Sequence, residues 1–405
     1  MTHDYDIVIV GAGLVGAALA CAVAKQNSAA LLRIALIEAG GDTQHFSGED
    51  FDPRVVALTH ASQHLLADIG VWEKIVNQRA CAYSEMEVWD GEGTANIHFS
   101  AAEMRQDYLG HIIENSVVVT ALREKIINYP QITLIQPAAV VGLNVVELNI
   151  NETTQIILNS GTILTTKLLI AADGAQSKIR ELAEFPTREW DYGHTAIITT
   201  VQTELPHQAT AWQRFMHSGP LAFLPLQSVN GKHFCSIVWS TEHALASELM
   251  VLNDVDFCAR LGFAFEHKLG KVLHAATRVA IPLRQRHAKN YIQSQIVLIG
   301  DAAHNIHPLA GQGVNLGLLD VAALAKEIAR ACDRGIPLND FSILRRYQRQ
   351  RLASNLMMMS AMEAFKQLFG NSSLMLNWLR NTGMRQLNSL TAIKKFIVNT
   401  AMGLH

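Results

Sequence analysis

Gly300-Asp301 stands at the end of an apolar run, Gln295 to Ile299, and is followed by Pro308-Leu309-Ala310-Gly311-Gln312-Gly313-Val314-Asn315. Helical periodicity then extends from about Val314 to Ala331. A carboxylate at a strand end, here Asp301, can hold a polyol without occupying a reactive face. The Gly-rich loop is aimed at a helix start, where free N–H groups and a partial positive charge await an electron-rich ring. Gly311 and Gly313 would let that ring approach the backbone, because a side chain would take its space. FAD carries both a polyol and such a ring, which makes it a suitable occupant.

The amino terminus carries a matching half-site. Tyr5 to Val10 reads as a buried parallel strand, Gly11-Ala12-Gly13-Leu14-Val15-Gly16 follows, and an Ala-rich helix runs to about Gln26. A second strand, Arg33 to Ile37, ends in Glu38. In this pattern Gly11 makes the tight turn, Gly13 admits a pyrophosphate and Gly16 lets the helix pack on the strand. Glu38 lies 22 residues after Gly16, where an acid that accepts ribose hydroxyls is expected. A lone G-x-G-x-x-G says little; its place between strand and helix, with the acid at this distance, argues for a dinucleotide.

A third element, Ala171-Ala172-Asp173-Gly174, follows the apolar strand Lys167 to Ile170 and leads into a helical start. Asp173 thus sits at a strand end, where α/β sheets bind ligands. Together these elements resemble the group A flavoprotein aromatic hydroxylases, whose pattern is G-x-G-x-x-G, then a DG motif, then a GD motif. His304 to Gly317 with Asp320, Gly70-Val71-Trp72, Met86 to Asp90, Leu109 to Asn115 and Leu379-Arg380-Asn381 are similar, more narrowly, to the ubiquinone-biosynthesis hydroxylases. The likeness covers essentially the whole chain. Ala171-Ala172 departs from the commoner Gly-Ala before the DG pair, but Asp173 is in place.

The resemblance implies an FAD-dependent monooxygenase that hydroxylates the aromatic ring of a polyprenylated phenol in ubiquinone biosynthesis. A donor reduces FAD, oxygen adds to give a flavin hydroperoxide, and its distal oxygen passes to the ring. No second complete G-x-G-x-x-G is present, so NAD(P)H or another electron donor is expected as a transient co-substrate. Arg54 resembles the family arginine near the pyrophosphate and the donor, and Asn115 the family position that touches the flavin. Pro308, Gly311 and Gly313 are expected to position the flavin, with Gln312 and Asn315 in the same cofactor-binding set. No protein residue is assigned as nucleophile or acid–base catalyst. Phe223, Leu224, Pro225 and Trp239 are candidate substrate-lining residues, with ordinary sheet core as the competing reading for each. The alternatives are a group A hydroxylase or FAD reductase acting on another aromatic, and a non-catalytic component of a lipid-modifying complex.

Composition agrees with a folded enzyme. The 405 residues are 49% apolar and 17% charged, enough to bury a full core. A net charge of −3 argues against nucleic acid as a partner. Cys21, Cys81, Cys235, Cys258 and Cys332 are scattered with no C-x-x-C pair, so reduced thiols and a cytoplasmic setting are expected. His304 and His307 share an i, i+3 spacing, but no third ligand completes a set, so they are read as shaping the flavin loop and no metal is expected. Arg345, Arg346, Arg349 and Arg351 read as a solvated helix face.

The expected architecture is α/β: a Rossmann-like FAD-binding domain with an inserted antiparallel β-sheet substrate domain and a C-terminal helical tail. The FAD domain is assigned to residues 1–72, 109–180 and 283–331, the substrate domain to 73–108 and 181–282, and the helical region to 332–405. A polyprenyl tail gains about 0.8 kcal/mol for each CH2 it buries, so the substrate will not diffuse freely through water. No apolar run is long enough to span a bilayer. A peripheral position at the inner membrane face, lipid-binding or biosynthetic-complex proteins, and a homo-oligomer are the associations this suggests. Met358, Met362, Phe365 and Phe369 form one stripe of the tail, beside Leu352, Leu356 and Met359. Core packing or a subunit interface is its first reading. A chain ending after about Arg351 is expected to keep FAD and lose assembly or lipid turnover.

Overall fold

Ile7, Val8 and Ile9 are wholly buried, as a strand covered on both faces requires. They lie in Thr2–Val10, which pairs in parallel with Ile163–Ala171 on one side and Ile34–Ile37 on the other. Ile132–Ile135 and Ile296–Leu298 extend this parallel sheet at its two ends. Residues 2–26, 32–42, 44–91, 96–148, 151–305 and 312–369 are described in the structure, a computed structural model. The helix Leu14–Ala24 packs between Asn115–Ile127 and Gln312–Asp333. Its buried alanines, from Ala17 to Ala24, keep those three helices close.

The register decides where the signature residues emerge. Val10 lies opposite Ala171 and Ile37, and Ala171 lies opposite Leu298. Gly11, Glu38, Asp173 and Gly300 therefore leave the sheet at the carboxyl ends of four adjacent parallel strands, where ligand crevices form.

A nine-stranded sheet builds the other half of the molecule, its central strands being Val279–Ala288, Thr187–Thr203, His233–Glu242, Gly219–Pro225 and Thr210–Met216, in that order. These pairings are antiparallel; Thr210–Met216 then pairs in parallel with Glu85–Asp90. Phe257 and Phe265, from Asp254–Ala264 and its C-cap, pack into a core with Phe223 and Trp239. A small sheet of Val55–Leu58, Gly110–Glu114 and Ala80–Tyr83 is the third layer. Its Ala80–Tyr83 pairs with Gly110–Glu114, and Val279–Ala288 runs on through residue 283. Continuous strand pairing thus crosses the boundaries expected at 108/109 and 282/283.

Phe341–Phe369 is one long helix packed on Gln312–Asp333. Met358 packs against Leu316 of that partner, whereas Leu356 faces solvent. The side chains of Met359, Met362, Phe365 and Phe369 lie outside the described residues, as do Leu379-Arg380-Asn381. No described helix is long and apolar enough to cross a membrane.

Candidate active site

The first strand–helix turn is held by close backbone approach. Gly11 has φ +99°, and a Cβ there would overlap the carbonyl of Ala172 beside Asp173. A Cβ on Gly16 would overlap the Gly11 carbonyl. Gly13, by contrast, has no described atom within 4 Å of its Cβ position and caps its helix without a side-chain bond. No acidic residue occupies the helix's first turn. That leaves a helix amino terminus with free N–H donors and room for an anion. Glu38 Oε2 accepts from Ala12 N–H at 2.8 Å and Oε1 from Gly40 N–H at 2.8 Å, which fixes the carboxylate beside the turn. Arg123 of the Asn115–Ile127 helix reaches within 3.9 Å of Glu38.

Asp173 supports the same crossing from the next strand. Its Oδ2 accepts from Ile179 N–H at 3.1 Å, while the buried Oδ1 has no partner. Burial raises its carboxyl above the usual value, against the hydrogen bonds from Ser177 and Ile179.

The segment Asp52-Pro53-Arg54 is sewn to the start of the Asn115–Ile127 helix. Asn115 N–H donates to the Arg54 carbonyl at 2.9 Å and Ser116 N–H to Asp52 Oδ2 at 3.0 Å. Glu114 Oε1 accepts from Asp52 N–H, and Oε2 pairs with Arg79 at 2.8 Å. Burial raises the Glu114 carboxyl despite those contacts. The Arg54 side chain is left 69% exposed at the cavity mouth, 3.8 Å from Asp52, so its charge is available to a ligand.

The Gly300-Asp301 turn rests on a buried charge network. Gly300 N–H donates to Asp320 Oδ2 at 3.0 Å, and His304 Nε2 meets the same oxygen at 2.5 Å. Arg351 Nε donates to Asp320 Oδ1 at 2.7 Å and an Arg351 amine to Asn355 Oδ1 at 2.7 Å. Burial alone would raise the Asp320 carboxyl, but His304 and Arg351 outweigh it and hold it below its usual value. Val15 of the first helix wedges against Gly300 and Gly317, where a Cβ on Gly317 would come within 2.7 Å. Asp301 itself opens to the cavity and makes no hydrogen bond within the described protein. Surrounding protein raises its carboxyl by desolvation, partly offset by His304. Gly313 lies beside it, its Cβ position 3.8 Å from Asp301 Oδ1.

One cavity of about 650 Å³ joins this turn to the large sheet. Arg54, Asp301 and Gly313 line one part of it; Ile198, Leu224 and Val238 line another. An uncapped helix end, a carboxylate oxygen of Asp173 without a partner, the carboxylate of Asp301 and a helix start without a Cβ are the donors, acceptors and spaces FAD requires. Among the described residues no group of three His, Cys, Asp or Glu side chains is placed to hold a metal.

Comparison with known proteins agrees with this geometry. The FAD binding domain family matches residues 4–360. The chain is 35% identical to the Escherichia coli 3-demethoxyubiquinol 3-hydroxylase, over 98% of each chain. It is 33% identical to the ubiquinone biosynthesis monooxygenase COQ6 of Xenopus tropicalis, over 97% of this chain and 92% of that one. The chain belongs to the FAD-dependent hydroxylases of ubiquinone biosynthesis. The fold is shared more widely: the p-nitrophenol 4-monooxygenase PnpA of Pseudomonas putida superposes with a TM-score of 0.76 at 18% identity, covering 99% of this chain and 98% of that one. As a member of this family the chain is an FAD-dependent monooxygenase.

Several side chains of this hydroxylase stand elsewhere than their spacing suggests. Phe223 and Trp239 do not line the cavity: they are 0% and 3% exposed and pack with Phe257 and Phe265. Pro225 is buried and is likewise absent from the cavity wall, whereas Leu224, one residue away, lines it. Alternation along the strand accounts for the difference. Asn315 is also turned inward. Its Oδ1 accepts from Thr59 N–H and Ser62 Oγ–H, and its Nδ2 donates to Ala57, so the carboxamide ties the helix to Val55–Leu58. Arg351 is buried on Asp320 instead of lying on a solvated face. Pro308 and Gly311, with His307, fall outside the described residues; Gln312 opens the helix. Arg123, Asp52, Glu114 and Arg79 were not singled out by spacing. Only their convergence in space marks them.

Proposed function

We propose that this enzyme inserts one oxygen atom from O2 into the ring of a polyprenylated phenol, held between the FAD site and the large sheet. The single observation that carries the reading is continuity: the cavity that begins at Asp301 and Gly313 continues onto Ala222, Leu224 and Val238. A ring lying on that apolar wall is brought to the cofactor with water displaced. The relatives named for hydroxylation of 3-demethoxyubiquinol and for ubiquinone biosynthesis support the substrate class.

FAD, when bound, supplies hydride acceptance and oxygen activation. The chain's own residues do the remaining work. Gly13 and its helix would receive the pyrophosphate, Glu38 the adenosine ribose, and Asp301 a ribityl hydroxyl. The start of Gln312–Asp333 would direct its positive end at the reduced ring, worth about 0.3–2 kcal/mol. Arg54 at the mouth is suited to a phosphate of the cofactor or of a transient nicotinamide donor. Residues 1–72, 109–180 and 283–331 would form the FAD-binding part, with the strand-crossing boundaries noted above. We place the enzyme against the membrane surface where its lipid substrate resides, with a lipid-binding or biosynthetic partner delivering it.

The test is turnover of a short-tailed prenylphenol by the FAD-loaded enzyme under oxygen-18 gas with a nicotinamide donor. Mass spectrometry should show one labelled oxygen on the ring. Cofactor reoxidation with no label in the product would instead identify a reductase and overturn the reading.

A further inference from the structure

Among the described residues, one cavity-lining hydroxyl stands out as buried and unpartnered. Ser236 is fully buried, lines the cavity, and its Oγ has no hydrogen-bond partner. It lies opposite Leu224 on one neighbouring strand and opposite Thr200 on the other. Thr200 shares its face, is 4% exposed, and its Oγ1 is also unpartnered. Directly opposed residues have Cβ atoms about 4.5–5.5 Å apart, so the Thr200 hydroxyl stands behind that of Ser236, which sits in a wall of Ala222, Leu224, Val238 and Ile198 with Ser240 further along the same strand. Buried hydroxyls without partners are costly and uncommon in folded proteins. The orphaned Trp239 Nε1 and Thr241 hydroxyl of the same strand have no access to the cavity, since alternation turns them to the other face. Arg286, also at the wall, is engaged by Glu189 and by the Ala175 carbonyl.

Resting on the substrate class argued above, we propose that Ser236, backed by Thr200, is the anchor for an oxygen substituent on the substrate's aromatic ring. A phenolic hydroxyl can donate to Ser236 Oγ, whose own hydrogen then turns to the Thr200 oxygen behind it. Fixing that oxygen at one point of an apolar wall sets the ring's rotation and hence which carbon faces the cofactor. Ser236 is thus a specificity-determining residue that binds substrate and takes no part in FAD binding.

The experiment measures binding to the FAD-loaded enzyme through the change in flavin absorbance. The probes are a prenylphenol with a two-isoprene tail and its analogue lacking the ring hydroxyl. Wild type should prefer the phenol by about tenfold, the equivalent of 1.4 kcal/mol. Ser236→Ala should erase that preference while FAD affinity stays unchanged, and should broaden the set of ring positions hydroxylated. Thr200→Val should reduce the preference by roughly threefold, a smaller part of the same hydrogen-bond energy, which provides a second reading if Ser236→Ala folds poorly. A wild-type preference retained in both variants overturns the anchor. Equal binding of both probes by wild type also overturns it while leaving the substrate class standing. If wild type binds neither probe, the substrate class itself fails and the anchor falls with it.

Discussion

Arg351 offers the sharpest test of how the cofactor turn is held. Replacing it with Met keeps most of the side-chain volume but removes the guanidinium from Asp320, which is wholly buried. Stripping one partner from a buried pair costs about 3–5 kcal/mol, because the other charge stays buried without compensation. Here His304 at 2.5 Å and Gly300 N–H at 3.0 Å remain on Asp320 Oδ2. The expected loss is therefore at the low end, about 3 kcal/mol, or roughly a hundredfold in the folded-to-unfolded ratio. Urea unfolding, followed by far-ultraviolet dichroism for the apoprotein and by flavin fluorescence for the loaded enzyme, reads this out. Asp320→Asn combined with Arg351→Met should be more stable than Arg351→Met alone, since the second change removes the stranded charge. The sign of the pH effect follows from the lowered Asp320 carboxyl. The wild-type pair contributes fully above the unfolded carboxylate value, about 3.9, and its contribution is lost as pH falls through the lower folded value. The deficit of Arg351→Met should thus be largest at neutral pH and shrink in acid. A single variant within about 0.5 kcal/mol of wild type, or a double variant showing the full sum of both losses, would refute the network's role. The same geometry revises the expectation that a chain ending near Arg351 keeps FAD. Asn355 bonds Arg351 at 2.7 Å and Tyr291 at 3.2 Å, so that truncation should weaken cofactor retention.

Asp301→Ala should weaken FAD binding roughly ten- to a hundredfold, as loss of a charge-assisted hydrogen bond of about 1.5–3 kcal/mol implies; a flavin fluorescence titration checks it. Gly16→Val should abolish FAD uptake while leaving most secondary structure by dichroism, because its Cβ overlaps the Gly11 carbonyl. Asp173→Asn should stabilise the apoprotein by on the order of 1 kcal/mol at neutral pH, since it removes a buried charge with an unpartnered oxygen. With the folded carboxyl raised, ionisation is what costs stability, so the gain should grow as pH rises through the carboxylate range; thermal melts at several pH values test this. Ala222→Trp should raise KM for the aromatic substrate and leave FAD affinity intact, whereas Phe223→Ala should cost about 3–5 kcal/mol of stability. Steady-state kinetics and urea melts distinguish the two adjacent positions.

The cofactor end of the site was legible because its signals are local. Gly11, Gly13, Gly16 and Glu38 are tied to one strand–helix–strand unit, and Glu38, Asp173 and Asp301 each follow within a few residues of an apolar strand. Parallel pairing then brings Val10, Ile37, Ala171 and Leu298 into line, so local signals become one crevice without further information. The inward turn of the Asn315 side chain was hidden for the opposite reason. Its side chain is explained by Thr59, Ser62 and Ala57, more than 250 residues away, and nothing near it in sequence announces them. Arg351 was hidden among Arg345, Arg346 and Arg349, since one buried member of a basic run looks like the rest.

The substrate wall was harder to read because this sheet is covered on both faces. In an antiparallel sheet with one wet face, polar alternation marks the outside. In Gly219–Pro225 both sets are apolar: Leu221 and Phe223 meet the helices, while Ala222 and Leu224 meet the cavity. A one-residue shift exchanges those sets, and composition cannot choose between them. Size is the cue that remains. Phe223 and Trp239 of this sheet fill the closed core under Asp254–Ala264, and small side chains of the central strands border open space, with Trp212 and Tyr83 at the edge of the cavity. By that reasoning Ala196, Ala211, Ala222 and Ser236 mark the ligand face better than any phenylalanine does, because their short side chains leave room for a ring between the larger residues of the wall.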